Sequence, residues 1–214
     1  LGALGTISDR MTFKVAQNRC LVYFGVKEFN KTTLPGVQAL LNISKKDKDK
    51  VYARDVGRLI SPLLNAPGRI GNPDLGIPDS NLVVEFMTYG VIEQEKNAGL
   101  KDKKLKQYIN SFLKVIELNK ESKDVSVIGV SKKAEMVNEV NEERKKITEK
   151  IANEIEEILE EKQKFLDDKI IVIKGKNWNS GVIGIDADRL RERFKKPTII
   201  MTEYEGSDYI KASV

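Results

Sequence analysis

Apolar side chains at Met136, Val137, Val140, Ile147, Ile151, Ile155, Ile158, Leu159, Phe165 and Leu166 recur at spacings of three, four and seven. Lys133 to Asp167, which contains them, has no Pro or Gly, and good helix formers dominate it. This period predicts one amphipathic helix with its stripe on one face. Glu and Lys spaced three or four apart support its other faces. At 1.5 Å per residue such a helix spans about 50 Å. Two readings stand: a helix packed along one core, and a connector between two globular parts. A coiled coil fits less well, because Arg144 falls on the stripe.

Before this stretch the pattern predicts mostly short helices. Residues 1–11 form a lead-in. A helix over 12–30 would turn Val15, Cys20, Leu21, Phe24 and Val26 inward. Leu34-Pro35-Gly36 opens a second helix through Leu41, with Pro at its start. A charged loop at 45–50 separates it from a third, about Tyr52 to Leu64. Two Pro and two Gly between Asn65 and Pro73 predict a structured turn there. Helices are also expected at Val83–Val91 and Lys103–Asn119, and a short β-like run at Val125–Val130.

After the long helix the period changes. Lys169-Ile170-Ile171-Val172-Ile173-Lys174 is nearly continuous and reads as a strand buried on both faces. A loop over Gly175–Gly181 leads to a helix ending near Phe194, which Pro197 separates from a strand at Thr198–Thr202. Tyr209 to Val214 begins a third strand. The C-terminal part is therefore the start of an α/β domain.

Composition narrows the chemistry. The 214 residues contain one cysteine, Cys20, and no histidine. An internal disulfide, a cysteine-cluster zinc site and any histidine-dependent nucleophile are excluded within this chain. Carboxylates, Lys, Arg, Tyr or an oxygen-bound metal must do any chemistry. The +5 net charge is uneven: Lys132–Lys169 carries nine basic and twelve acidic side chains, leaving +8 on the rest. The globular parts are thus the basic ones, compatible with a polyanionic partner. No apolar run approaches 18 residues and no signal segment opens the chain, so a cytoplasmic protein with no membrane partner is expected. Starting at Leu1 without Met, the chain reads as an internal part of something longer.

Arg69 within the Gly-rich turn has two readings. Its fork and nearby backbone N–H groups suit a phosphate, or it pairs with a carboxylate.

Three stretches, in order, resemble the DHH phosphoesterase superfamily, and within it the RecJ-like single-strand exonucleases. Leu4-Gly5-Thr6-Ile7-Ser8-Asp9, followed by Asn18-Arg19, is similar to a segment in which an Asp ends a helix beside the metal centre. Leu63-Leu64-Asn65-Ala66-Pro67-Gly68-Arg69-Ile70-Gly71-Asn72 resembles the family's Asn-Ala-x-Gly-Arg-x-Gly turn. Trp178-Asn179-Ser180-Gly181-Val182-Ile183-Gly184-Ile185, continuing through Arg189-Leu190 to Lys196-Pro197-Thr198-Ile199-Ile200, resembles the opening of the DHH-associated domain. Asn141-Glu142-Glu143-Arg144 looks like the family's connector.

The resemblance implies an α/β fold. Residues 1–131 would be the mostly helical remainder of a DHH domain and 132–167 a long connecting helix. Residues 168–214 would start a smaller DHH-associated domain. The Asp-rich and Asp-His-His motifs would precede Leu1, and a Gly-Gly-His motif would follow Val214.

Metal-dependent hydrolysis of phosphodiesters in single-stranded DNA or RNA is implied, as by a RecJ-like 5′–3′ exonuclease in replication or repair. A two-metal Mn²⁺ or Mg²⁺ site would activate water and neutralise the phosphate, mostly through residues outside this chain. Asp9 would supply one hard ligand, its other reading being a helix cap beside Arg10. Arg69 would contact a phosphate near the scissile bond, with Asn65 and Gly68 shaping its turn. Trp178 would stack on a base or sugar, or serve as a core aromatic. Gly181 and Gly184 would let backbone approach an anion at a helix start. Lys211 and Ser213 fall where the family binds the strand. Asn179 stands where the family usually has His, and it cannot titrate. A competing reading is a non-catalytic replication-fork subunit that works through protein partners. A small-oligonucleotide phosphodiesterase fits the long helix and Trp motif less well.

Overall fold

The computed structural model describes residues 1–45, 50–85, 87, 127–161 and 168–214. The helices expected at Lys103–Asn119 and over the later part of Val83–Val91 lie outside them, as does the 162–167 end of the long helix. Two compact units divide the chain: residues 1–67 with 71–140, and residues 68–70 with 141–214.

The first unit is helical. Helix α1 (Gly2–Ser8) buries Ala3, Leu4, Thr6 and Ile7. It ends in a Schellman motif, with the Met11 N–H on the Thr6 carbonyl at 3.0 Å and the Arg10 N–H on Ile7 at 3.1 Å. Arg10 takes the left-handed position, φ 51°, that glycine usually fills. Helix α2 (Ala16–Phe29) packs on α1. Helix α3 (Pro35–Ile43) carries Pro at its first turn and buries Val37, Leu40 and Leu41. Next come a short turn, α4 (Ala53–Asp55), a π-helical turn at Val56–Ile60, and α5 (Ser61–Ile70). The Ser61 hydroxyl donates to the Val56 carbonyl at 3.0 Å, satisfying an oxygen within the widened turn.

Two expectations for residues 1–73 fail. The inner face of α2 is Val22 and Phe29, with Val26 packed beside them, while Val15, Cys20, Leu21 and Phe24 are exposed. The helix has apolar residues around most of its circumference, so period alone could not choose a side. Gly25 chose it: a Cβ there would overlap the Ala3 side chain, so the two helices meet at their smallest pair. The second failure is the turn expected at Asn65–Pro73. The helix runs on to Ile70 with Pro67 inside it. Leu63, Ala66 and Ile70 are buried along this segment, and their burial outweighs the backbone hydrogen bond that Pro67 forfeits. The turn begins only at Gly71 and closes through the Asn72–Ile77 bridge around a 3₁₀ turn, Pro73–Leu75. Residues 80–85 are helical, matching the start of that expected helix, with Asp79 accepting from the Asn81 N–H at 2.9 Å.

Helix α6 (Val127–Glu161) is continuous and contributes to both units. It starts earlier than expected. Val127 to Val130, read as β-like, is helical: Val130, Ala134 and Val137 are almost fully buried, so Val130 serves a packed helix face rather than a pleated one.

In the second unit, β1 (Ile171–Lys176), helix α7 (Ile183–Phe194) and β2 (Thr198–Glu203) form a βαβ unit. Strands β1 and β2 are parallel, with Ile173 opposite Ile200, and β3 (Ile210–Ser213) adds antiparallel on β2, with Ala212 opposite Met201. Helix α7 lays Ile183, Ala187 and Leu190 inward. β1 is not buried on both faces: Ile171, Ile173 and Gly175 are buried, while Val172, Lys174 and Lys176 are exposed. Only one of its faces is covered among the described residues, so its apolar run alternates in burial.

Candidate nucleic-acid interface

Arg69 sits with the second unit, where its segment crosses the loop after β1. Its Nη1 donates to the Gly181 carbonyl at 3.1 Å, and its own carbonyl oxygen lies against the Gly181 α-carbon. A Cβ at 181 would overlap that oxygen, so the crossing requires glycine. The glycine serves close approach of the chain to itself.

The loop under Arg69 is heavily hydrogen-bonded. Asn177, at φ 56°, turns the chain out of β1, its N–H on the Glu203 carbonyl at 2.8 Å. Trp178 lays its ring over Gly175, where a Cβ would collide with it, and donates Nε1–H to the Glu154 carboxylate at 2.6 Å. At 4% exposure the ring is a core aromatic and offers no open face to a base. Asn179 accepts the Gly181 N–H on its side chain at 2.9 Å and the Val182 N–H on its backbone at 3.1 Å. This side-chain turn suits Asn chemically. The Tyr204 hydroxyl donates to the Trp178 carbonyl at 2.9 Å and accepts the Ser180 N–H at 3.1 Å.

Cationic groups gather nearby. Arg144, on the apolar stripe of α6, is half-buried and donates Nε to Asn141 at 3.2 Å. Burial first, and the charge of Arg69 second, lower its pKa. With Lys145, Thr148, Asn153 and Arg189 it lines an open cavity of about 380 Å³. Glu149 adds one opposing charge there, and Glu142 already holds Lys145 at 2.7 Å. The terminal nitrogens of Arg144 have no hydrogen-bond partner among the described residues. This arrangement suits an anion that several guanidinium groups share.

The remaining predicted residues are dispersed. Ser213 places its hydroxyl by Gly184, leaving a Cβ at 184 only 2.8 Å from that oxygen. Lys211 is exposed, with Nζ 5.8 Å from the Tyr204 ring centre. Gly68 is exposed beside Arg69, whereas Asn65 belongs to the first unit and is half-buried on α5. Asp9, also in the first unit, is the exposed C-cap of α1. Nearby, Ser8 donates to Ser61 at 2.8 Å. No group of three or more His, Cys, Asp or Glu side chains converges among the described residues. One carboxylate does not make a divalent-metal site, so these residues alone do not fit a resident metal.

Sequence reading missed Glu154, Tyr204 and Arg189 as partners of the site. Arg144 did signal itself, as a charge interrupting an apolar stripe. Asp186, a carboxylate on the inner face of α7, was missed as well. It is 2% exposed with Oδ2 unpartnered among the described residues, and burial pushes its carboxyl up to about 6 against the pull of Arg189.

The chain is 27% identical over 213 residues to the single-stranded-DNA-specific exonuclease RecJ of Bacillus subtilis, covering all of this chain and 21% of that protein. The Escherichia coli RecJ is 26% identical over 202 residues, covering 93% of this chain and 28% of its own length. Thermus thermophilus RecJ, solved in complex with Mg²⁺, superposes with a TM-score of 0.60 at 18% identity, over 94% of this chain and 24% of that one. An exonuclease RecJ bound to manganese gives 0.61 at 16% identity, over 95% and 39%.

The chain resembles the RecJ-like members of the DHH phosphoesterase superfamily.

No family model matches it. The RecJ-like chain spans roughly a fifth to three tenths of the curated relatives' length. Its mostly helical architecture with a small three-stranded sheet matches the corresponding RecJ region. No helix among the described residues is long and apolar enough to cross a membrane.

Proposed function

We propose that this RecJ-like chain is part of a nuclease that hydrolyses phosphodiesters in single-stranded nucleic acid, and that its second unit holds the strand. The observation that carries the reading is the set Arg69, Arg144 and Arg189. Arg69 lies beside Arg144, and Arg144 and Arg189 line one cavity with no carboxylate hydrogen-bonded to either among the described residues. Guanidinium groups gathered this closely, with Glu142, Glu149 and Asp186 as nearby opposing charges, favour an added anion that they can share. Successive phosphates of a single strand have the charge and spacing to do so, with Gly68, Lys211 and Ser213 at the margins of the same unit. Sequence similarity to proteins named as single-stranded-DNA-specific exonucleases supports the same substrate class.

A divalent metal held by the parent protein would supply the nucleophilic water and charge relief. In this reading Asp9 gives it one carboxylate, Asn65 shapes α5, and the other ligands lie in residues beyond these 214. Structures of related proteins with Mg²⁺ or manganese favour those ions. A place in DNA replication or repair, in the cytoplasm, belongs to the same proposal.

The test is Mn²⁺-dependent digestion of 5′-labelled single-stranded DNA by the parent protein. Mononucleotide release, lost in both Asp9→Ala and Arg69→Ala, is expected. Undiminished release by Asp9→Ala removes it as a ligand. A parent protein that binds single strands but never cleaves them favours the non-catalytic fork-subunit reading, for which Asn179 in place of His is the motivating residue.

A further inference from the structure

Arg69 depends for its direction on a loop to which it contributes nothing in sequence. We infer that Tyr204 and Glu154 are positioning residues for Arg69, acting through the Gly181 carbonyl. The inference rests on the proposed strand-binding role of Arg69 and adds how that role is built.

The chain of contacts is continuous. Arg69 Nη1 donates to the Gly181 carbonyl at 3.1 Å, which occupies one corner of the fork and leaves the other donors without a protein partner among the described residues. The direction of that carbonyl follows from the loop conformation. Three side chains fix it at both ends and the middle: Glu154 holds the Trp178 indole at 2.6 Å, Tyr204 bridges the Trp178 carbonyl and the Ser180 N–H, and Asn179 holds the Gly181 N–H. Tyr204 follows directly on the last residue of β2, and Glu154 projects from α6. Two rigid elements thereby aim one carbonyl, and the carbonyl aims one guanidinium. A planar fork rewards such pre-orientation, because misaimed donors lose the paired geometry a phosphate offers.

The parent protein, metal-free in EDTA, is titrated with fluorescent dT12 over a series of salt concentrations, so the readout is independent of hydrolysis. Tyr204→Phe is expected to raise Kd about fivefold, the worth of one hydrogen bond. The slope of log Kd against log salt is expected to fall by up to about 0.7, one phosphate contact, although no charge has been removed. In an Arg69→Ala background the same substitution is expected to add nothing, because its effect passes through Arg69. Glu154→Gln, which keeps an acceptor for the indole, is expected to bind as wild type, whereas Glu154→Ala is expected to behave as Tyr204→Phe. Equal losses from Tyr204→Phe in both backgrounds overturn the inference, as does an unchanged Kd and slope where Arg69→Ala alone weakens binding. Should Arg69→Ala itself leave binding intact, the strand-binding role of Arg69 fails, and the inference with it.

Discussion

Gly181 and Arg69 touch twice: the Arg69 carbonyl oxygen rests on the Gly181 α-carbon, and the Arg69 guanidinium donates to the Gly181 carbonyl at 3.1 Å. Residues 112 positions apart are thereby locked in one crossing. Gly181→Ala puts a methyl group where backbone already stands, and neither strand of the crossing is a flexible side-chain end. A loss on the order of 2 kcal/mol or more is expected for the second unit. Urea unfolding followed by Trp178 emission measures it. An unchanged midpoint would mean the two segments part without cost.

Trp178 is the single tryptophan of the chain and is 4% exposed. Its emission is expected to be blue-shifted and poorly quenched by acrylamide. Adding saturating single-stranded DNA to the parent protein, monitored in a variant whose other tryptophans are replaced, is expected to leave that emission nearly unchanged. Strong quenching on binding would show the ring stacked on a base and would sink its assignment to the core.

Glycines in helices usually gain about 1 kcal/mol on replacement by Ala. Gly5 and Gly25 should differ in sign. Nothing lies within 4 Å of a Cβ at Gly5, so Gly5→Ala is expected to stabilise the first unit. A Cβ at Gly25 overlaps the Ala3 side chain, so Gly25→Ala is expected to cost about 1–3 kcal/mol. Chemical denaturation monitored by far-UV circular dichroism decides both. Stabilisation by Gly25→Ala would contradict the close α1–α2 approach.

Asp186 makes stability depend on pH in an unusual direction. Burial raises its carboxyl from the ordinary 3.8 to about 6, so the folded chain holds a proton that the unfolded chain releases. The favourable contribution is fully present below about 3.8 and is lost as pH rises through about 6. Asp186→Asn, neutral throughout, is expected to be more stable than wild type at pH 7.5 by on the order of 1–3 kcal/mol, with the difference shrinking toward pH 4. Denaturant midpoints at several pH values measure this. A wild-type advantage at pH 7.5 would show the ionised form is held by a partner.

What was legible in the sequence, and what was not, divides along a physical line. The long helix, the Pro35 helix start and the strand–helix–strand run from Ile171 to Glu203 rest on local signals: period, caps and breakers act within a turn or two of chain. The three motifs carried the RecJ-like resemblance because residue order survives without any knowledge of contacts. Tertiary packing alone decided which side of α2 turns inward, because its apolar residues surround it and a glycine facing Ala3 made the choice. It carried α5 through Pro67, since burial of Leu63, Ala66 and Ile70 outweighs one missing backbone bond. It also buried Trp178 against Gly175 and Glu154, and placed Arg144 beside Arg69. Those are encounters between distant positions, and neither residue of such a pair carries in its own neighbourhood any mark of the other.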